Sequence, residues 1–153
     1  MAEGFVALET QDGRVIVILH PGCTASREEI LELLEQAGVD SSKVTFVIPE
    51  EACELSGLET ATIVIPLNAD SCEAPELEDA GRHCGQAGGN VVVIIEKGFG
   101  YPDLHPIAEK YGTQCSWSAG DLERCISSEG AAAEPSDSEG NPVSRSGGKQ
   151  VNC

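Results

Sequence analysis

The stretch Val15-Ile16-Val17-Ile18-Leu19 is continuously apolar and mostly β-branched. Such a run predicts a strand that is buried on both faces, which is typical of a parallel sheet covered by helices. A short loop follows, and then Ser26 stands three residues before Glu29. This spacing is a capping box, which starts a helix. Apolar residues at helical spacing continue that helix until Gly38, a residue type that favours a helix end.

The same alternation of apolar runs and amphipathic stretches repeats to about residue 129. Four more strands are predicted, at Val44–Ile48, Thr62–Leu67, Asn90–Ile95 and Gln114–Trp117. Helical patterns separate them, over residues 50–58, from Pro75 onward, over residues 103–111 and from Ser118 onward. Five strands that alternate with helices predict a three-layer, flavodoxin-like α/β fold with a parallel sheet in the order 2-1-3-4-5. The segment Phe5–Leu8 predicts an additional peripheral strand.

The composition changes near Gly130. Residues 130–153 contain four Gly, four Ser and two Pro, and their only large apolar residues are Val143 and Val151. Such a segment buries too little apolar surface to offset the entropy that ordering would cost. We therefore expect one α/β domain over residues 1–129 and a disordered C-terminal tail over residues 130–153.

The charge of the chain excludes several classes of partner. Nine basic side chains stand against 26 acidic ones, which gives a formal net charge of −17. This excess disfavours nucleic acids and anionic membranes, because phosphates would be repelled. No apolar run approaches the roughly 20 residues that cross a bilayer, and the first residues lack the basic region of a signal peptide. These features predict a cytoplasmic protein without a membrane segment, and they leave open whether it forms a homo-oligomer.

Seven cysteines are spread along the chain without a Cys-x-x-Cys pair. In a chain without a signal peptide this pattern favours reduced thiols and disfavours a structural zinc site, so no metal is expected. Cys23 and Cys72 each precede a predicted helix N-terminus, where the helix dipole lowers a thiol pKa. The segment His20–Arg27 also resembles the thiol site of thioredoxin-like arsenate reductases. A redox pair formed by Cys23 and Cys72 is therefore one hypothesis.

The predicted strand order indicates where a ligand-binding site would lie. In an open α/β sheet, ligands bind beyond the carboxyl ends of the strands, where the strand order reverses. Here that point lies between the first and third strands, and the loops there are residues 20–25 and 68–73. The candidate ligand-binding residues are His20, Gly22, Cys23, Asp70, Ser71 and Cys72, with Glu76 beside them. Three aromatic residues are candidates for lining this crevice: Phe99, Tyr101 and Trp117. Of these, Trp117 is better suited to packing in the core.

A family resemblance adds a role for Glu76. The segment Leu58–Asn68 resembles the strand before the active-site loop of TIR-like domains and nucleoside 2-deoxyribosyltransferases, and Ser71–Ala80 resembles their next helix start. In those families the glutamate at the helix start acts on the N-glycosidic bond of a nucleoside or of NAD. The resemblance implies that Glu76 is the catalytic residue and that no separate cofactor is needed. The structural alternative is that Glu76 merely compensates the dipole of its helix.

Three hypotheses for function follow. The first is a domain that binds a small nucleotide or NAD-like ligand and cleaves or transfers at its N-glycosidic bond, with Glu76 as the key carboxylate. The second is a non-catalytic interaction or adaptor module of the same fold that self-assembles, because a fold alone does not fix a function. The third is a thiol-based redox protein that uses Cys23 and Cys72.

Overall fold

The computed structural model describes residues 14–22, 25–55, 57–71, 73–100, 104–127, 135–137 and 142. The strands are β1 (Val15–Ile18), β2 (Val44–Val47), β3 (Thr62–Leu67), β4 (Asn90–Ile95) and β5 (Gly112–Cys115). The helices are α1 (Arg27–Gln36), α2 (Pro49–Ala52), α3 (Pro75–Gln86), α4 (Pro106–Tyr111) and α5 (Ala119–Ser127). The strand predicted at Phe5–Leu8 lies outside the described residues. No helix within the described ranges combines the length and apolarity needed to cross a membrane.

The five strands form one sheet in the order β2-β1-β3-β4-β5, and every neighbouring pair is parallel. The predicted fold class and strand order are therefore confirmed. Val15 pairs with both Val44 and Thr62, so the amino ends of the three strands are aligned. Because all strands run the same way, the loops that follow β1, β3 and β4 meet at one edge of the sheet. We call this the carboxyl edge.

The core consists of two apolar layers, one on each face of the sheet. Alternate residues of a strand point to opposite faces, so Val15 and Val17 face one layer while Ile16 and Ile18 face the other. The first layer packs against α1 and α5, and the second packs against α2, α3 and α4. All four residues of β1 are buried, as the continuous apolar run predicts. This arrangement is the three-layer architecture of the doubly wound α/β class.

The start of α1 is built as its sequence predicts. The Ser26 hydroxyl accepts a hydrogen bond from the backbone N–H of Glu29 at 3.1 Å, and the Glu29 carboxylate accepts one from the backbone N–H of Ser26 at 2.9 Å. This reciprocal pair satisfies two donors that the first helical turn leaves without helical partners. Gly38 follows α1 with a φ of 96°, a left-handed conformation that glycine adopts without strain. The capping box and the helix end are therefore confirmed.

Several element boundaries differ from the prediction, among them the start of α4 at Pro106 and the end of β2 at Val47, and the largest differences have a local cause. The helix predicted over residues 50–58 ends at Ala52, because a turn begins at Cys53 and Gly57 takes a positive φ of 66°. The fifth strand begins at Gly112 and ends at Cys115, two residues earlier than the predicted Gln114–Trp117. A Cβ on Gly112 would lie 1.9 Å from the carbonyl oxygen of Val91. Only glycine allows β5 to approach β4 at this point, and glycine carries no apolar signal in the sequence.

Residues 135–137 belong to the segment predicted to be a disordered tail, and the structure places them against β5. The backbone N–H of Ser136 donates to the carbonyl of Gln114 at 2.9 Å, and the Gln114 side-chain amide donates to the carbonyl of Ser136 at 3.1 Å. Ser136 also forms an antiparallel bridge with Pro142. Ser136 is buried. Most of residues 130–153 lies outside the described ranges, so the disordered tail and the domain boundary stay predictions.

Candidate functional site

Three polar residues lie at the carboxyl edge, at or within two residues of the ends of buried strands. His20 comes just after β1, Asn68 follows β3, and Glu96 follows β4. Asn68 and Glu96 are both buried. The backbone N–H of Glu96 donates to the carbonyl of Leu67 at 2.9 Å, which holds the ends of β3 and β4 together. The loops after β1 and β3 also touch, because the Asn68 side-chain amide donates to the carbonyl of Gly22 at 2.8 Å. The predicted meeting of these two loops is confirmed.

His20 and Glu76 form the central contact of the site. Nε2 of His20 lies 3.0 Å from Oε2 of Glu76, although 56 residues separate them in sequence. Nδ1 of the same ring accepts a hydrogen bond from the backbone N–H of Gly22 at 2.9 Å. A nitrogen that accepts a hydrogen bond carries no proton, so the ring proton lies on Nε2. The imidazole therefore donates its N–H to the Glu76 carboxylate.

The surroundings of Glu76 favour its ionised form. Glu76 lies in the first turn of α3, where the helix dipole stabilises a negative charge. A hydrogen bond from its own backbone N–H, followed by the hydrogen bond from His20, holds the pKa of Glu76 below its ordinary value. Its side chain is 44% exposed, whereas that of His20 is 13% exposed. The result is an accessible carboxylate that is held by a largely covered imidazole.

The loop after β3 is shaped by the Asn68 side chain. Its Oδ1 accepts hydrogen bonds from the backbone N–H groups of Asp70 and Ser71, both at 2.9 Å. The Ser71 hydroxyl in turn accepts one from the backbone N–H of Asn68 at 3.0 Å, and Ser71 is fully buried. The sequence suggests ligand binding for Ser71, but in the structure its hydroxyl forms a hydrogen bond within the turn after β3. Asp70 is exposed on the same turn.

Gly22 and Asp70 lie close together across the crevice. A Cβ on Gly22 would lie 3.1 Å from Cβ of Asp70 and 3.2 Å from Nδ1 of His20. Glycine therefore leaves the space in which the His20 ring reaches its backbone partner. The structure thus brings together His20, Gly22, Asp70 and Glu76, four of the residues that the sequence analysis assigns to one crevice.

The thiol hypothesis rests on residues that the structure does not describe, since Cys23 and Cys72 lie outside the described ranges. Among the described thiols, burial and then the nearby Cys53 raise the pKa of Cys84 to about 11. Burial also raises the pKa of the exposed Cys53. Cys53 and Cys84 are therefore poor nucleophiles, because the thiolate is the reactive form. Cys115 and Cys125 form a buried pair, and the hydrogen bond between them raises the pKa of Cys115 and lowers the pKa of Cys125. The described residues also contain no group of three or more His, Cys, Asp or Glu that could hold a metal ion.

A separate groove of about 470 Å³ lies between α1 and the residues that follow β4 and β5. Its lining includes Glu29, Glu32, Leu33, Gln36, Lys97 and Trp117. Trp117 is half-buried and packs against the core layer under α1 and α5, so it serves both the core and this groove. Phe99 is half-buried against the opposite layer, and Tyr101 lies outside the described residues.

The other two histidines have structural contacts. The ring of His83 is half-buried, and its Nε2 lies 2.9 Å from the carbonyl oxygen of Leu55. A carbonyl only accepts, so this nitrogen carries the proton. His105 caps α4, because its Nδ1 accepts the backbone N–H of Ile107 at 3.1 Å.

Sequence reasoning missed Asn68 and Glu96 as members of the site. Each is a polar residue directly after a buried apolar strand at the carboxyl edge, and that position is the signal that could have identified them. Their contact with each other, 3.5 Å between Nδ2 of Asn68 and Oε1 of Glu96, spans 28 residues of sequence. No local spacing rule predicts a pair so far apart.

Comparison with known proteins does not identify a function for this chain. No family model and no curated protein matches the sequence. Among solved structures, the chain is similar to a provisionally assigned sugar-phosphate isomerase from Listeria monocytogenes, with a TM-score of 0.39 and 16% sequence identity. The match covers 61% of this chain and 49% of that one, so it spans about half the length of the isomerase. The function must therefore be inferred from the site itself.

Proposed function

We propose that this protein binds a nucleoside-like ligand at the carboxyl edge of β1 and β3 and cleaves or transfers at its N-glycosidic bond. The observation that carries the proposal is the contact of 3.0 Å between Nε2 of His20 and Oε2 of Glu76. It orients an accessible carboxylate at the start of α3, and together with the hydrogen bond from the backbone N–H of Glu76 it holds the pKa of that carboxylate below its ordinary value. The resemblance to TIR-like domains and nucleoside 2-deoxyribosyltransferases supports the same role for Glu76.

An ionised carboxylate suits this chemistry. When a glycosidic C–N bond breaks, positive charge develops on the sugar carbon, and a carboxylate stabilises that charge or bonds to the carbon. In the bonding route an oxygen of Glu76 bonds to the anomeric carbon, and the base leaves with the electron pair of the C–N bond. The base takes a proton from solvent. Water, or a second base, then displaces the carboxylate.

The charge of the site favours a nucleoside over a phosphate-bearing ligand. The loops 20–25 and 68–73 contain no Lys or Arg, and Asp70 and Glu73 add negative charge beside Glu76. The N-terminus of a helix often binds phosphate through its free N–H groups. Here the first turn of α1 is capped by the Ser26 hydroxyl, and the Glu76 carboxylate accepts its own backbone N–H at the start of α3. Phosphates of a nucleotide or of NAD would therefore be repelled.

The test is turnover by the full chain and by a variant that removes only the charge at position 76. Purified protein is incubated with purine and pyrimidine deoxynucleosides, with and without a second free base, and separately with NAD. Released or exchanged base is measured by liquid chromatography. We expect turnover of nucleosides, and we expect Glu76→Gln to lower it at least about a hundredfold, because the ionised oxygen is lost.

Glu78→Gln is the matched control. Glu78 is also an acid in the first turn of α3 and is exposed, so its replacement changes the helix charge equally without touching His20. We expect this variant to keep the activity of the unmodified protein. Absence of turnover of every N-glycoside, or equal activity of Glu76→Gln and the unmodified protein, would overturn the proposal.

A further inference from the structure

A buried polar pair lies at the carboxyl edge, next to the loop that carries Gly22. Asn68 is 6% exposed and Glu96 is 3% exposed, and Nδ2 of Asn68 lies 3.5 Å from Oε1 of Glu96. Burying an amide and a carboxyl group at the end of an apolar sheet is costly unless hydrogen bonds compensate it. Apolar residues at both positions would serve the core as well. The pair therefore suggests a role other than packing.

The partners of Asn68 fix the orientation of its amide. Oδ1 faces two backbone donors, the N–H groups of Asp70 and Ser71, each at 2.9 Å. Nδ2 faces two acceptors, the carbonyl of Gly22 at 2.8 Å and the Glu96 carboxyl oxygen. Exchanging the oxygen and nitrogen would put donors against donors and acceptors against acceptors, so the amide has one orientation. One side shapes the loop after β3, and the other holds the loop after β1.

Gly22 connects the Asn68 amide to the His20 ring through two backbone hydrogen bonds. Its carbonyl is held by Asn68, and its N–H donates to Nδ1 of His20 at 2.9 Å. The proton on Nε2 then points to Glu76 at 3.0 Å. We propose that Asn68 is a positioning residue that, through the backbone of Gly22, holds the His20 ring in the orientation and tautomer that direct Nε2–H to Glu76. A role of these contacts in catalysis rests on the proposed function, whereas the contacts themselves do not depend on it.

Two substitutions remove the hydrogen bond from Asn68 to Gly22 while keeping an acceptor for the turn after β3. Asn68→Asp keeps an oxygen for the N–H groups of Asp70 and Ser71, so the turn after β3 retains its acceptor. Its second oxygen then faces the Gly22 carbonyl and the Glu96 carboxyl group, and both contacts become unfavourable. Asn68→Ser is neutral, and its hydroxyl can still accept from the turn, as serine does in many turns. The shorter side chain does not reach Gly22, so this variant loses the same restraint without burying a charge.

The hydrogen bond between Gly22 and His20 can be measured directly. In uniformly ¹⁵N-labelled full-length protein, nuclear magnetic resonance detects a coupling between the Gly22 amide nitrogen and Nδ1 of His20 only when that bond exists. We expect the coupling in the unmodified protein and its loss in Asn68→Asp and in Asn68→Ser. Asn90→Asp is the matched control, because it makes the same chemical change at the opposite end of β4. We expect this variant to keep the coupling.

The remaining histidines report whether each variant is folded. His83 donates a hydrogen bond to the carbonyl of Leu55, and His105 accepts one from the N–H of Ile107. Both contacts lie away from Asn68 in sequence. Their ring signals should be unchanged in every variant. Absence of the coupling in the unmodified protein, or an undiminished coupling in a folded Asn68→Ser variant, would overturn the proposal.

A kinetic readout connects this inference to the reaction. If nucleosides are turned over, we expect Asn68→Ser to lower kcat about tenfold to a hundredfold and to change KM by a smaller factor, because the variant releases the restraint that directs Nε2–H of His20 to Glu76. Loss of the coupling with kcat unchanged would refute the positioning role. Absence of turnover in the unmodified protein, with the coupling present and sensitive to Asn68, would refute only the proposed function.

Discussion

The Asp121 carboxylate accepts hydrogen bonds from the backbone N–H and hydroxyl of Ser116, at 2.8 and 3.0 Å, and from the Ser136 hydroxyl at 2.6 Å. Arg124 pairs with its other oxygen. Burial by itself would raise the pKa of Asp121, but the hydrogen bonds from Ser136, Ser116 and Arg124 outweigh it and hold the pKa below its ordinary value. One side chain thus joins the end of β5, the start of α5 and residue 136.

This lowered pKa predicts a pH dependence of stability. A carboxyl group whose pKa is lower in the folded state stabilises the protein above its unfolded pKa, about 4, and this contribution is lost as the pH falls through the folded value. We expect Asp121→Asn to lower the free energy of unfolding by about 1–3 kcal/mol at pH 7. The deficit should shrink as the pH falls below about 4, because the unmodified protein then loses the same contribution.

Urea unfolding at a series of pH values measures this effect. Asp79→Asn is the control, because Asp79 forms an exposed ion pair with Arg82 on α3. Exposed pairs of this kind contribute at most about 1 kcal/mol. A deficit of Asp121→Asn that stays constant from pH 7 to acid conditions would contradict the expected role of the ionised carboxylate.

At the scale of elements, α3 and α4 pack closely because two glycines face α4. A Cβ on Gly81 would lie 2.7 Å from Cγ2 of Ile107, and a Cβ on Gly85 would lie 2.8 Å from Cβ of Tyr111. The two positions are four residues apart and therefore lie on the same face of α3. Glycine weakens a helix, so its presence twice on this face reflects the close approach of α4.

We expect Gly85→Ala to destabilise the protein by about 1–3 kcal/mol, because the new methyl group meets an atom next to the Tyr111 backbone and cannot be avoided by a rotamer change. Thermal unfolding measures the effect. Gly120→Ala on α5 is the control, since beyond its chain neighbours and its own helix backbone the atom nearest to the added Cβ is Oγ of Ser118, at 4.0 Å. That variant should be unchanged or up to about 1 kcal/mol more stable. Equal effects at the two positions would contradict this account of the α3–α4 contact.

The elements that the sequence predicts correctly are those with strong local signals. The strand at Val15–Ile18 and the helix that begins after Ser26 carry strong local signals, an unbroken apolar run and a capping box, and both are confirmed. β5 has the sequence Gly-Thr-Gln-Cys, which contains no apolar run, so its start is set by pairing with β4 instead. Such pairing is a tertiary effect that overrides local preference.

At the scale of the whole molecule, strand order is the feature from which the meeting of His20, Gly22 and Glu76 is predictable. Alternating strands and helices allow few topologies, and the order 2-1-3-4-5 brings the first and third loops together. The contacts of Asn68 and Glu96 are not predictable in this way. They depend on side-chain direction at the ends of β3 and β4, and sequence periodicity does not report that direction.

The contact of residue 136 with β5 should respond to charge. Replacing the Ser136 hydroxyl with a carboxylate puts a negative charge beside Asp121, which now accepts from that hydroxyl at 2.6 Å. We expect Ser136→Glu to separate residues 135–137 from β5. Hydrogen exchange of the backbone amide at position 136, which bonds the Gln114 carbonyl, should then become at least about tenfold faster.

Ser136→Ala is the comparison, because it removes one hydrogen bond and adds no charge. Its exchange rate should lie between those of the unmodified protein and Ser136→Glu. Equal rates in the two variants would contradict electrostatic repulsion from Asp121 as the cause.

The position of residue 136 also bears on how the protein is shortened for experiments. Truncation at residue 129, where the composition changes, would uncover backbone groups along the outer side of β5 that Ser136 now engages. Uncovered strand edges act as templates for strands of neighbouring molecules, and such templating leads to aggregation. Because Ser136 also bridges to Pro142, a shortened protein should extend beyond that residue if it is to remain monodisperse.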